Sequence, residues 1–144
     1  MLFLTHLLFT ALLLVLFRGV SPAGSGTLFA VTALLATLLP DLDSAGSILG
    51  RHAPWVQPLL RHRGVLHTPL AAAVLWLAAR PFTALADALL LGYVSHLLMD
   101  ACSKEGILAL FPLSRRRLTG PIRVGSAMEF LLGLGLAAAV LLML

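Results

Sequence analysis

Long apolar runs separated by short polar segments dominate the chain. The five runs cover about residues 2–17, 27–39, 69–79, 83–102 and 127–144. Runs of this kind predict helices, and apolar segments of about 20 residues are typical of membrane spans. The pattern therefore predicts an all-α fold, an integral membrane helical bundle with four or five transmembrane helices.

The third run is unusually short. Thr68 followed by Pro69 is typical of a helix N-cap with proline at the first helical position, which predicts a helix over Pro69–Ala79. Such a helix would be about 16 Å long, too short for a hydrocarbon core of roughly 30 Å. It must either begin nearer Arg61, with a kink at Pro69, or enter the membrane only in part.

Composition favours the same class. Of the 144 residues, 60% are hydrophobic and 11% are charged, which is not typical of a soluble domain. The length predicts a single domain over residues 1–144. The chain has ten Lys and Arg but only six Asp and Glu. In a membrane chain this excess reflects topology and lipid headgroups, so no nucleic-acid partner is expected. Cys102 is the only cysteine, so an internal disulfide is excluded.

The most informative polar residues interrupt the fourth run. His96 and Asp100 are four residues apart, so they share one helix face and can converge on a single ion. The alternative is a buried histidine hydrogen-bonded to an aspartate one turn away. An ionisable group in an apolar segment costs on the order of 3 kcal/mol, and this cost favours a functional role.

Helices that alternate in direction would bring further ionisable residues to the same end as His96. Eight of the eleven His, Asp and Glu residues fall there: His6, Asp41, Asp43, His62, His67, His96, Asp100 and Glu129. Imidazole and carboxylate donors without a thiolate favour zinc or another divalent first-row ion, and the set is large enough for two ions.

Single members of this set have simpler explanations. Asp41 and Asp43 could be a polar stop at the membrane edge. His62 and His67 are five residues apart, so they cannot both face one ion from a regular helix. Glu129 either complements the positive N-terminus of the last helix or serves as general base or further metal ligand.

Arginines near the same end offer a phosphate site, because the guanidinium fork matches pairs of phosphate oxygens. The candidates are Arg63, Arg115, Arg116, Arg117 and Arg123. The alternative is that the Arg115–Arg117 run is a solvated stop. Most basic residues lie on this side of the predicted crossings, so the positive-inside rule predicts that the site faces the cytoplasm.

Five motifs in chain order resemble the YdjM family, the DUF457 group of small inner-membrane proteins described as metal-dependent hydrolases. They are Thr5-His6, Pro40-Asp41-Leu42-Asp43, His62-Arg63-Gly64 with His67-Thr68, His96-x-x-x-Asp100 followed by Gly106, and Arg123-x-Gly125-Ser126-x-x-Glu129. The family is similar, at a distance, to zinc-dependent phospholipase C and S1/P1 nucleases, all-helical enzymes that bind zinc through His and Asp. The resemblance implies a multi-pass protein of the bacterial inner membrane.

The residues and the resemblance together predict a membrane-bound, metal-dependent hydrolase. Its metal-activated water would cleave a phosphoester in a lipid or lipid-linked headgroup, with one or two zinc ions as cofactor and membrane lipid as partner. The predicted metal ligands are His6, Asp41, Asp43, His62, His67, His96 and Asp100. The predicted catalytic residues are Asp43, Arg63 and Glu129. The alternatives are a divalent-metal transporter, a metal-stabilised membrane protein without catalysis, and a headgroup transferase.

Overall fold

Five α-helices make up the fold. The computed structural model describes residues 1–17, 26–43, 47, 50–52 and 64–144. The helices are α1 (Phe3–Phe17), α2 (Thr27–Ala36), α3 (Pro69–Ala79), α4 (Ala86–Ala101) and α5 (Ala127–Met143). Short 3-10 turns lie at Leu39–Asp43, Gly50–His52 and Val65–His67, between α2 and α3. Over these ranges the chain is all-helical and forms no β-strand.

The helices are shorter than the apolar runs that predict them. In the part of the chain that the structure describes, no helix combines the length and the apolar character needed to cross a membrane. Even α5, with 17 residues, extends only about 25 Å at 1.5 Å per residue, less than the roughly 30 Å of a hydrocarbon core. The prediction of four or five transmembrane helices is therefore wrong. Apolar runs include residues that the fold uses in caps and 3-10 turns, such as Thr37 and Leu39.

Capping side chains set the start of two helices. The Thr68 side chain accepts a hydrogen bond from the backbone N–H of Ala71 at 3.1 Å, and Pro69 occupies the first turn of α3. This confirms the predicted N-cap and the predicted bounds of α3. At the start of α5, the Ser126 hydroxyl accepts from the N–H of Glu129 at 3.4 Å. Each cap satisfies a backbone donor that the first turn leaves without an intrahelical partner.

Helix α4 lies at the centre, where it packs against α1, α2 and α3, while α5 packs against α1. A Cβ atom at Gly92 would lie only 2.0 Å from the carbonyl oxygen of Ala33. The absent side chain therefore allows α2 and α4 to approach backbone to backbone. On the other side of α4, Tyr93 and Leu97 form a small buried cluster with Ala72 of α3. This packing gathers the start of α1, the end of α2, the start of α3 and the end of α4 at one end of the bundle.

Candidate metal centre

A buried cluster of imidazoles and carboxylates occupies that end of the bundle. Its members are His6 from α1, Asp41 and Asp43 from the 3-10 turn after α2, His67 from the 3-10 turn before α3, and His96 and Asp100 from α4. All of them except Asp41 are at most 3% exposed. The side chain of Asp41 is 30% exposed and is the route from the cluster to the outside.

Four donor atoms in this cluster approach one another in imidazole–carboxylate pairs. Asp41 Oδ1 lies 3.9 Å from both His67 Nε2 and His96 Nε2. Asp100 Oδ2 lies 3.5 Å from His67 Nε2 and 3.6 Å from His96 Nε2. A tetrahedral zinc ion with bonds of about 2.0–2.2 Å separates its ligands by roughly 3.3–3.6 Å. The imidazole–carboxylate pairs are therefore within a few tenths of an ångström of ligand spacing, and the donor atoms of Asp41, His67 and His96 all lie within 4.8 Å of one another.

The ring of His96 is oriented by a hydrogen bond from its far side. His96 Nδ1 lies 2.8 Å from the carbonyl oxygen of Thr37, which can only accept, so the proton of the neutral ring is on Nδ1. Nε2 then carries the lone pair. This atom is buried and has no hydrogen-bond partner among the described residues. A backbone carbonyl behind a ligand histidine is a common arrangement in metal sites.

His67 has a comparable arrangement with a carboxylate. Asp43 Oδ2 lies 3.4 Å from His67 Nδ1, whereas His67 Nε2 faces Asp41 and Asp100. Asp43, predicted as a ligand and a catalytic residue, is therefore placed behind the imidazole. From this position it can fix the orientation of the ring and raise the basicity of its other nitrogen.

His6 lies at the edge of the cluster and stacks on His96. The two ring centroids are 4.0 Å apart with an interplanar angle of 6°. His6 Nε2 lies 3.5 Å from Asp100 Oδ1, an oxygen that also accepts from the amino group of Met1 at 2.8 Å. His6, His96 and Asp100 thus form a second possible ligand group. Because this group shares His96 with the first, the geometry supports one ion more directly than two.

The electrostatics of the cluster favour the protonation states that bind metal. Burial lowers the pKa of His6 to about 4, so the ring is neutral at pH 7. Burial opposes ionisation of Asp100, but the neighbouring His6 ring and the positive amino group of Met1 hold the pKa of this carboxyl well below its usual range. A neutral imidazole and an ionised carboxylate are the forms that coordinate divalent ions.

Glu129 is fully buried and joins the starts of α1 and α5. Its Oε1 accepts from the N–H of Leu2 at 2.5 Å and from the Thr5 hydroxyl at 3.3 Å, and its Oε2 accepts from the N–H of Gly125 at 2.7 Å. These bonds match the alternative in which Glu129 complements the start of α5. The general-base role stays a prediction.

Four of the five predicted phosphate-binding arginines lie on the surface. Arg115, Arg116, Arg117 and Arg123 are all exposed. The Arg117 guanidinium donates to the carbonyl oxygens of Glu105 at 3.3 Å and Gly106 at 3.5 Å, so it braces the segment that follows α4. His62 and Arg63 lie outside the described residues. The phosphate-binding role of these arginines stays a prediction.

Three buried hydroxyl groups support the cluster and were missed by the sequence analysis. The Thr10 hydroxyl lies 2.8 Å from that of Thr37 and 2.6 Å from that of Ser95, and all three residues are buried. A signal existed for two of them: Thr10 is four residues after His6 in an apolar run, and Ser95 precedes His96. The Thr37 carbonyl gives no sequence signal, because every residue except the terminal one has the same peptide oxygen.

Comparison with known proteins decides the family. The profile of the YdjM inner membrane protein family matches residues 1–144. The chain belongs to the YdjM family. The YdjM inner membrane proteins of Escherichia coli (strain K12) and Shigella flexneri are each 36% identical to it over 108 residues, which is 65% of this chain and 53% of theirs. The aligned region thus spans about half the length of these two relatives.

A more distant relative comes from a different bacterial group. The YvsG protein of Bacillus subtilis (strain 168) is 31% identical over 120 residues, which is 78% of this chain and 75% of that protein. No solved structure matches the chain. YdjM membership confirms the resemblance found in the motifs and supports an inner-membrane location. The similarity to zinc-dependent phospholipase C and nucleases stays a prediction.

Proposed function

We propose that this YdjM-family protein is a metal-dependent hydrolase of the inner membrane that cleaves a phosphoester in a lipid or lipid-linked headgroup. The observation that carries the proposal is the convergence of Asp41, His67, His96 and Asp100 in one cluster, in which each imidazole Nε2 lies 3.5–3.9 Å from an oxygen of both carboxylates. Such a concentration of unlike ionisable groups in an apolar chain is costly without an ion that they share.

Zinc is the proposed cofactor, because the donors are imidazoles and carboxylates without a thiolate. When bound, a divalent ion of this kind lowers the pKa of water and acts as a Lewis acid towards a phosphoryl oxygen. The buried Nε2 of His96, which lacks a hydrogen-bond partner within the described ranges, is consistent with an ion at this position.

The residues of the chain have separate tasks in this proposal. Asp43 and the Thr37 carbonyl hold the rings of His67 and His96 in their binding orientation. Burial of the cluster excludes bulk water, which strengthens electrostatic interactions with a phosphoryl group. The part-exposed Asp41 marks the side from which substrate enters. Proton transfer is assigned to Glu129 and phosphate binding to Arg63, Arg115, Arg116, Arg117 and Arg123; these assignments come from the sequence.

A lipid substrate is favoured by the surface of the protein. Large apolar side chains are exposed on all three of α2, α3 and α5, with Leu35, Leu77 and Leu142 as examples. Exposed apolar surface on this scale is typical of contact with lipid or with partner proteins. We place the site on the cytoplasmic side of the membrane, because Lys104 and the Arg115–Arg117 run follow α4 and suit the anionic headgroups of that leaflet.

The test is a substrate screen on the purified full chain. Phospholipids and lipid pyrophosphates are incubated in mixed micelles with protein of known zinc content, with and without a chelator, and phosphate or headgroup release is measured. We expect release that the chelator abolishes and that added zinc restores. Release that is unaffected by the chelator, or zinc-loaded protein that cleaves none of these lipids, would contradict the proposal.

A metal-stabilised protein without catalysis is the second candidate. It is favoured by the near-complete burial of His67, His96 and Asp100, since structural zinc sites are closed whereas catalytic sites keep an open position. Two measurements, melting temperature and hydrolysis, distinguish the two candidate functions. A structural ion predicts that the chelator lowers the melting temperature while the zinc-loaded protein hydrolyses nothing in the screen.

A further inference from the structure

An apolar groove lies next to the candidate metal centre and has a volume of about 490 Å³. Leu70, Val74 and Ala78 of α3 line it together with Leu42, Leu66 and Tyr93. Among the described residues that line it, only Tyr93 has a polar side-chain atom, a hydroxyl that donates to the Leu66 carbonyl at 2.6 Å. The groove therefore offers its occupant hydrocarbon surface rather than hydrogen-bonding groups.

The groove and the metal centre share the same chain segments. Leu42 lies between Asp41 and Asp43 in the 3-10 turn after α2, and Leu66 directly precedes His67. Neighbouring Cα atoms are about 3.8 Å apart, so one end of the groove is within a residue or two of the cluster. A molecule that lies in the groove would therefore have its polar end near Asp41, the member of the cluster with a part-exposed side chain.

The shape of the groove suits a tail. From Leu70 to Ala78 it follows α3 for eight residues, which is about 12 Å along the helix axis. It is open to the surroundings, because the side chain of Val74 is 57% exposed and that of Leu70 is 43% exposed. An inner-membrane protein meets hydrocarbon chains on such a surface, and its volume lies within the usual range of ligand sites.

We propose that this groove binds an acyl chain of the phospholipid on which the enzyme acts, with the headgroup phosphate of that lipid at the His and Asp cluster. This inference rests on the proposed function and adds the substrate class, a lipid that is recognised by its tail as well as by its phosphoester. Burial of the tail holds the phosphate beside Asp41, the part-exposed member of the cluster.

The direct test is photo-crosslinking with a probe that reports the position of the tail. Zinc-loaded full-length protein in micelles is irradiated with phosphatidylglycerol that carries a diazirine in one acyl chain, and labelled peptides are identified by mass spectrometry. We expect labels on α3 between Leu70 and Ala78 and near Leu42, at least fivefold above those on the exposed apolar face of α5. Equal labelling of the two regions would mean that the groove is ordinary lipid-facing surface and would overturn the proposal.

Two groove-filling variants and one matched control sharpen the result. Ala78→Phe and Val74→Trp add bulk at exposed positions of the groove, and Ala138→Phe adds the same bulk at an exposed position of α5. We expect labelling of the groove variants to fall at least fivefold, with zinc content unchanged. The advantage of long-chain over short-chain phosphatidylglycerol as a competitor of the probe should fall by the same factor. Ala138→Phe should behave as wild type. Groove variants that label as wild type would contradict the inference.

The proposed function and the groove can fail separately. Labels confined to the groove on a protein that hydrolyses no lipid would support the groove and contradict the hydrolase. Chelator-sensitive hydrolysis that is equally fast for long-chain and short-chain lipids, with labels spread over all apolar surfaces, would support the hydrolase and contradict the groove.

Discussion

His96 Nδ1 lies 2.8 Å from the carbonyl oxygen of Thr37, and this contact fixes the ring that faces Asp100. The Thr37 residue is itself held in place, because its hydroxyl group donates to the Ala33 carbonyl at 2.9 Å and lies 2.8 Å from the Thr10 hydroxyl. Three helices thus determine the orientation of one imidazole. The orientation of His96 is a tertiary property rather than a property of α4 alone.

We expect Thr10→Val to lower the stability of the protein. The substitution keeps the side-chain volume but leaves the buried hydroxyls of Thr37 and Ser95 short of a partner, which costs about 1–3 kcal/mol. Thermal unfolding in detergent should show the loss, and zinc affinity should fall by up to tenfold as His96 loses its support.

Thr32→Val is the matched control for Thr10→Val. Each hydroxyl donates to the carbonyl four residues earlier, Thr10 to His6 at 3.0 Å and Thr32 to Leu28 at 2.7 Å, but Thr32 is not part of the buried network. We expect a change within about 0.5 kcal/mol. A loss of stability as large as that of Thr10→Val would show that the hydrogen bond to the carbonyl four residues earlier, and not the network, is responsible.

Removal of a ligand should release the ion. His96→Ala deletes a donor that faces both Asp41 and Asp100, so we expect zinc content after gel filtration to fall at least tenfold. His52→Ala, which removes an exposed histidine from a surface turn, is the control and should keep wild-type zinc. The ligand assignment is refuted if both variants retain the same zinc.

Glycine should be required at position 92 and dispensable at position 135. A Cβ atom at Gly92 would lie 2.0 Å from a backbone atom of Ala33, so Gly92→Ala must push α2 and α4 apart. We expect a destabilisation of about 1–3 kcal/mol with reduced zinc affinity. Gly135→Ala meets no atom within 4 Å and should stabilise α5 by about 1 kcal/mol, since alanine favours helix more than glycine does. Equal melting temperatures for the two variants would contradict the close packing.

Glu129→Gln separates structural support from catalysis. Glu129 accepts hydrogen bonds on both carboxylate oxygens, and the amide group of glutamine would face its own NH₂ towards one of those donors. If Glu129 ties α1 to α5, the variant loses about 1–3 kcal/mol of stability and keeps zinc. Loss of hydrolysis at wild-type stability would instead support the general-base role.

Chemistry encoded within one turn was predictable from the sequence. The spacing of His96 and Asp100 placed both groups on one face of α4, and Thr68 with Pro69 gave the start of α3. These signals are local, because the helix geometry alone fixes which side chains are neighbours.

The length of the helices was not predictable in the same way. An apolar run does not mark where a helix ends, and the backbone leaves α2 at Ala36 although Leu38 and Leu39 continue the run. The gathering of His6, Asp41 and His67 at one end was still expected correctly, since it requires only that successive helices alternate in direction. The Thr37 carbonyl behind His96 depends on how α2 and α4 meet, which no local pattern reveals.

The four donor side chains are supplied by three separated parts of the sequence, around positions 41, 67 and 96–100. An unfolded chain cannot present them together, so occupancy of the centre by a coloured substitute ion such as cobalt(II) would follow assembly of the bundle. The visible absorption band of the bound ion would then report refolding of the protein without an attached dye.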